Sequence, residues 1–143
     1  MQHVTTWQQQ GLIGSDQTRG IQETFVFNAP EAAEAAYQNL LAAMSRCQDN
    51  SRSLQAKSHT APDAVVNTTA TTADGTAWSR RWNAVEGMSS EGVQTNHLYA
   101  LRHGSDLILM HIDELSWESS AKPYDTRNDA AVLAELAGRA ARS

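Results

Sequence analysis

Period-2 alternation marks the first readable element of the chain. In Ile21–Phe27 (IQETFVF), Ile21, Glu23, Phe25 and Phe27 alternate with Gln22, Thr24 and Val26 in a segment rich in strand formers, which predicts a β-strand. The period then changes. Ala33, Ala36, Tyr37, Leu40, Leu41 and Met44 recur at helical spacing and predict an amphipathic helix running through Cys47. Asn28 is a capping residue type, Pro30 sits near the first turn where its missing N–H costs nothing, and Glu31 and Glu34 favour the positive helix end. Ser53–His59 reads as an edge strand. Val65–Ala73 and Thr76–Val85 flank Asp74-Gly75, a strong hairpin pair. Gly87–Gly92 reads as loop, and Thr95–Arg102 and Asp106–Leu115 form a second hairpin around Gly104-Ser105. Between Asp129 and Ala141 the positions of Ala131, Val132, Leu133, Leu136 and Ala140 predict a closing helix.

The first 18 residues are polar, anchored by Val4, Trp7, Leu12 and Ile13, and read as a short helix or an irregular arm closing at Gly14-Ser15-Asp16. Neither an internal repeat nor a low-complexity linker divides the chain, so residues 1–143 are expected to form one domain. The order strand, helix, hairpins, helix predicts an α+β fold. Its expected form is two-layer, with a mostly antiparallel sheet of about five strands and the helices packed on one face.

Composition narrows the function classes. Hydrophobic residues make up 41% and charged residues 19%, which suits a globular chain. The net charge of −5 and the scattered basic residues, with only Arg80 and Arg81 adjacent, argue against a nucleic-acid partner. Nine Arg against two Lys, with abundant Ala, suggest a GC-rich genome. No apolar run reaches membrane-spanning length, so membrane insertion is not expected. The N-terminus lacks the basic start and apolar core of a signal peptide, leaving a cytoplasmic protein or an excised mature domain. Cys47 is the one cysteine, so no disulfide forms within the chain.

Two constellations could carry chemistry. If Gly104-Ser105 is a two-residue turn, Leu98 lies opposite His111 and Asn96 opposite Asp113. His111, Asp113 and Asn96 then cluster on the face expected to point away from the helices. A carboxylate beside an imidazole suits a general base, although the same pair is an ordinary feature of a wet strand end. In WSRRW, Trp78, Arg80 and Trp82 share one strand face and Arg81 takes the other. Two rings around a guanidinium could cradle an anionic or sugar-like ligand; equally, both tryptophans could be core with Arg80 reaching the sheet edge. His3, His59, His97, His103 and His111 match no metal-ligand spacing, and no GxGxxG, P-loop, GxSxG, HExxH or EF-hand pattern occurs. No metal or cofactor is therefore expected.

FNAPEAAEAAYQNLLAAMSRCQDN resembles the strand–helix opening of the PknH-like extracellular sensor domains of actinobacteria, in which an Ala-rich helix ends in a cysteine. DGTAWSRRW and YALRHGSDLILMHID sit where that family has its later antiparallel strands, and DAAVLAELAGRAA is similar to its closing helix. The resemblance covers roughly residues 20–141 and rests on element order. It implies a two-layer α+β domain outside the membrane, as part of a receptor kinase, a lipoprotein or a secreted protein, with a cleft for a small ligand. The family staples its fold with disulfides, whereas Cys47 has no partner in this chain.

The leading expectation is a non-catalytic, sensor-like domain that binds a small molecule in a sheet cleft, extracytoplasmic in location. Trp78, Arg80, Trp82, Tyr99, His111 and Asp113 are the candidate ligand-binding residues, although period 2 does not place all six on one face. The alternative is a small cytoplasmic enzyme of a secondary-metabolite pathway, with His111 as acid/base oriented by Asp113. A third reading is an interaction module that forms a homodimer.

Overall fold

The structure, a computed structural model, describes residues 3–13, 19–83, 93–114 and 125–143. Six strands form one wholly antiparallel sheet: β1 (Val4–Ile13), β2 (Arg19–Phe27), β3 (Val65–Thr71), β4 (Gly75–Trp82), β5 (Gln94–His103) and β6 (Asp106–Glu114). Their spatial order is β1-β2-β6-β5-β4-β3. Helix α1 (Pro30–Lys57) carries the chain from β2 across to the far edge at β3, and helix α2 (Asp129–Arg142) closes the described chain after a short 3-10 turn.

The fold is α+β with an antiparallel sheet, as the element order predicts, but three expectations change. The sheet has six strands and not five, because Val4–Ile13 is a strand paired along its length with β2 and not an arm or a helix. Its run VTTWQQQGLI buries neither face fully, so it lacks the alternation that betrays a half-buried strand. Ser53–His59 is not an edge strand, since α1 continues to Lys57. No Gly or Pro lies between Glu31 and Ala61 to stop it; the helix ends where His59 takes a left-handed φ of 56°, just before Pro62. The loop expected at Gly87–Gly92 lies outside the described residues, as do Gly14-Ser15-Asp16 and Leu115.

The third change concerns layers. The helices take opposite faces of the sheet, giving three layers and not two. Phe25, Phe27, Trp78, Leu98, Ala100, Leu107 and Leu109 pack with Ala33, Tyr37 and Met44 of α1. The alternate residues Ala77, Tyr99, Leu101, Ile108 and Met110 pack with Leu133, Leu136 and Ala140 of α2. Both faces of the central strands are apolar, so each needs its own cover.

Polar contacts fix where α1 lies. The Tyr37 hydroxyl is 2.7 Å from Thr76 Oγ1, and Arg102 pairs with Glu34 at 2.5 Å and with Asp74 at 3.1 Å. At the other end Gln55 is wholly buried, donating to Asp63 Oδ1 and accepting from the Ala64 N–H, while Arg52 donates to the Ala64 carbonyl. The second hairpin has the predicted register, Leu98 opposite His111 and Asn96 opposite Asp113. Gly104 has φ of +56° at the first central position of its turn, a geometry type II′ hairpins reserve for glycine.

Candidate functional site

Sheet register places the candidate residues before any side-chain detail is needed. Trp78, Leu98, His111 and Ile21 form one row across β4, β5, β6 and β2, and Arg80, Asn96, Asp113 and Arg19 form the next. Trp82 follows Arg80 on the same face by period 2. Five of the six candidates therefore share one face, Trp78, Arg80, Trp82, His111 and Asp113. It is the face that α1 covers, not one turned away from the helices.

Tyr99 does not belong with them. It lies on the α2 face with no exposure, and its hydroxyl donates to Asp129 Oδ1 at 2.7 Å. Asp129, also fully buried at the start of α2, accepts a second hydrogen bond from Thr69. Tyr99 is a packing residue with a satisfied hydroxyl. Trp78 is likewise core, 4% exposed beneath α1.

Arg80 and Trp82 behave differently. Both are half-buried and line a hollow of about 200 Å³ between the sheet and the C-terminal half of α1. Leu54 and Ser51 of α1 form one wall, Ala64, Val65 and Val66 the other, and Asn96 lies beside Arg80 on the floor. Arg80 Nε donates to Asn96 Oδ1 at 2.6 Å, which fixes the plane of the guanidinium. Among the described residues no carboxylate lies within ion-pair distance of Arg80. Its two terminal nitrogens thus carry four N–H donors that no described protein acceptor occupies. Arg81, on the opposite face of the strand, lies at the rim and is exposed.

His111 and Asp113 lie two strands from Arg80, about 10 Å away at the usual strand spacing. His111 Nε2 is 3.0 Å from Asp113 Oδ1, and both side chains are substantially exposed. A second imidazole–carboxylate pair occurs on the α2 face, where His97, 2% exposed, places Nε2 3.2 Å from Glu114 Oε2. A larger hollow of about 550 Å³ opens on the other flank of α1, between Met44, Gln48 and Asp49 of the helix and Thr68, Thr76 and Trp78 of the sheet. The two tryptophans of WSRRW therefore line different hollows. No group of three His, Cys, Asp or Glu side chains is placed to hold a metal ion among the described residues.

Asn96, grouped by the sequence with His111 and Asp113, bonds Arg80 instead, and sequence reading missed Ser51 and Leu54 as site residues. Both were out of reach because the helix was expected to end near Cys47; the absence of any stop residue before Pro62 was the available clue. No protein-family model matches the chain, and no curated protein is significantly similar to it.

Proposed function

We propose that this chain is a non-catalytic binding domain for a small molecule with a flat apolar body and an anionic group, held in the hollow between α1 and β4. The observation that carries the reading is Arg80, half-buried beside an aromatic ring, oriented by Asn96 and without a carboxylate partner among the described residues. A guanidinium held in plane presents paired donors that match a carboxylate. Trp82 and Leu54 supply apolar surface for the rest of the ligand. The larger hollow lacks a cation among its lining residues and has Asp49 at its edge, so it does not suit the same ligand. At about 200 Å³ the site suits a single-ring compound, below the ~300–1,000 Å³ common for larger ligands.

The resemblance to PknH-like sensor domains is the basis for a sensor-like role outside the membrane in an actinobacterial cell, although helices on opposite faces of the sheet depart from the two-layer packing it implies. No described helix is long and apolar enough to cross a membrane. A second copy of the chain is the other partner we infer, at a surface away from the cleft.

Benzoate and its neutral counterpart benzamide are matched probes for a thermal-unfolding assay. Benzoate raises Tm through preferential binding to the folded state, benzamide does not, and Arg80→Gln removes the effect. Equal shifts from both compounds, or none from either, contradict the reading.

The 3.0 Å contact between His111 and Asp113 on the same face favours one alternative, a small cytoplasmic enzyme with His111 as acid/base. For that enzyme His111→Ala abolishes turnover and leaves ligand binding in place. For a binding domain it changes neither.

A further inference from the structure

Strand β1 is an outer edge of the sheet, ten residues long. Edges of this kind are normally blunted by charge, proline, bulges or a covering element, because their free backbone groups template further strands. The other edge, β3, is blunted in that way. It has a bulge between Thr68 and Ala70, and its Val66 N–H donates to Gln48 of α1. Strand β1 has a register shift at its start, between Val4 and Thr6, but from Thr6 to Ile13 it has no charge, no proline and no irregularity in its register with β2, in a chain of net charge −5.

The direction of its free groups follows from the ladder. Phe27 N–H donates to Ser105 on the β6 side, whereas Asn28 N–H donates to His3 on the β1 side. Alternation then assigns the even-numbered residues of β2 to β1, so Thr6, Gln8, Gln10 and Leu12 spend their backbone groups on β2. Trp7, Gln9 and Gly11 turn theirs outward, and no described element pairs with them.

We propose that β1 pairs antiparallel with β1 of a second copy about a two-fold axis at Gln9, joining the two sheets edge to edge. This is the register in which all three outward-facing residues find one another: Gln9 meets Gln9, and Trp7 meets Gly11 in both directions. Trp7 is 52% exposed, and the space above Gly11 is open, with no atom within 4 Å of where a Cβ would stand. The indole, held toward its own β2 by a hydrogen bond from Nε1 to Glu23 Oε2 at 2.9 Å, gives up that bond to cover the space, the arrangement in which a cross-strand aromatic shields an edge glycine. Gln8 meets Gln10 on the other face, so no like charges oppose. One strand pair buries less than the ~1,200–2,000 Å² of a standard stable interface, so the dimer is concentration-dependent. The proposal rests on the homodimer reading above and uses no residue of the cleft, so loss of either claim leaves the other standing.

Sedimentation equilibrium across a concentration series reads it directly. The wild-type mass rises from the 15.6 kDa of one chain toward twice that value. Gln9→Lys and Gln9→Glu each place like charges across the axis and stay at one chain mass, and an equimolar mixture of the two regains the dimer. In a Cys47→Ser background, Gln9→Cys forms an interchain disulfide on oxidation, the facing Cα atoms lying about 5.5 Å apart. Gln8→Cys in the same background does not. A wild-type chain of single mass at every concentration overturns the proposal. So does a dimer that persists in Gln9→Lys, or a Gln9→Cys variant that fails to cross-link.

Discussion

Trp78 and Trp82 stand four residues apart on one face of β4, yet their surroundings separate them. Trp78 is 4% exposed and packs beneath α1 with Tyr37, Met44 and Leu107 in the same cluster, so Trp78→Ala is expected to cost about 3–5 kcal/mol in urea unfolding. Trp82 borders an open hollow, and Trp82→Ala should cost well under half as much while weakening benzoate binding. Similar losses for the two variants would contradict the assignment of one to the core and the other to the cleft. Asp129 allows a second test at this scale. Its buried carboxylate accepts from both Tyr99 and Thr69, so Asp129→Ala removes two hydroxyl hydrogen bonds and should cost about 1–3 kcal/mol. An unchanged unfolding midpoint would show that those hydroxyls find other acceptors. Period 2 on WSRRW showed that Trp78, Arg80 and Trp82 share a face. It could not show how far α1 reaches along that face, and so could not separate core from cleft.

Helix α1 is the element that makes the cleft. At 28 residues it is about 42 Å long, enough to cross the sheet from β2 to β3. Its second half supplies Ser51 and Leu54 to the site, and Gln55 clips its last turns to the segment before β3. Gln55→Ala removes both of those bonds from a fully buried position. It should cost about 1–3 kcal/mol and weaken benzoate binding without any change to a lining residue. Unaltered binding in a variant so destabilised would show that the helix end does not position the wall. The start of α1 was legible in Pro30, Glu31 and the apolar spacing, although Ala29 occupies the cap position and Asn28 does not. Its end was not legible, because the apolar rhythm fades after Cys47 while backbone and side-chain hydrogen bonds carry the helix on. Strand β1 is not legible for a related reason: its pairing is backbone hydrogen bonding, to which side-chain hydropathy is blind.

For the whole molecule, the α+β class, the antiparallel sheet and the register of the β5–β6 hairpin were legible, since turn residues and alternation encode them locally. The distribution of the helices was not. Leu98, Ala100, Leu107 and Leu109 are apolar on one side, and Tyr99, Leu101, Ile108 and Met110 on the other. Nothing in such a pattern says which helix takes which side, and two apolar faces are more cheaply covered by two helices than by one layer. That arrangement sets α1 over the hollow lined by Arg80 and leaves that residue half-buried, which is the physical basis of the binding claim.

The most direct measurement is an NMR titration of the isotope-labelled chain with benzoate, beside matched titrations with benzamide and of the Arg80→Gln variant. The account predicts shifts concentrated at the Trp82 indole and at the amides of Arg80, Leu54 and Val66, saturating with benzoate. It predicts no such pattern with benzamide, and an affinity at least about tenfold weaker in Arg80→Gln, as loss of a charged hydrogen bond implies. Shifts that cluster elsewhere, or that persist unchanged in Arg80→Gln, would contradict an anion-binding cleft between α1 and β4.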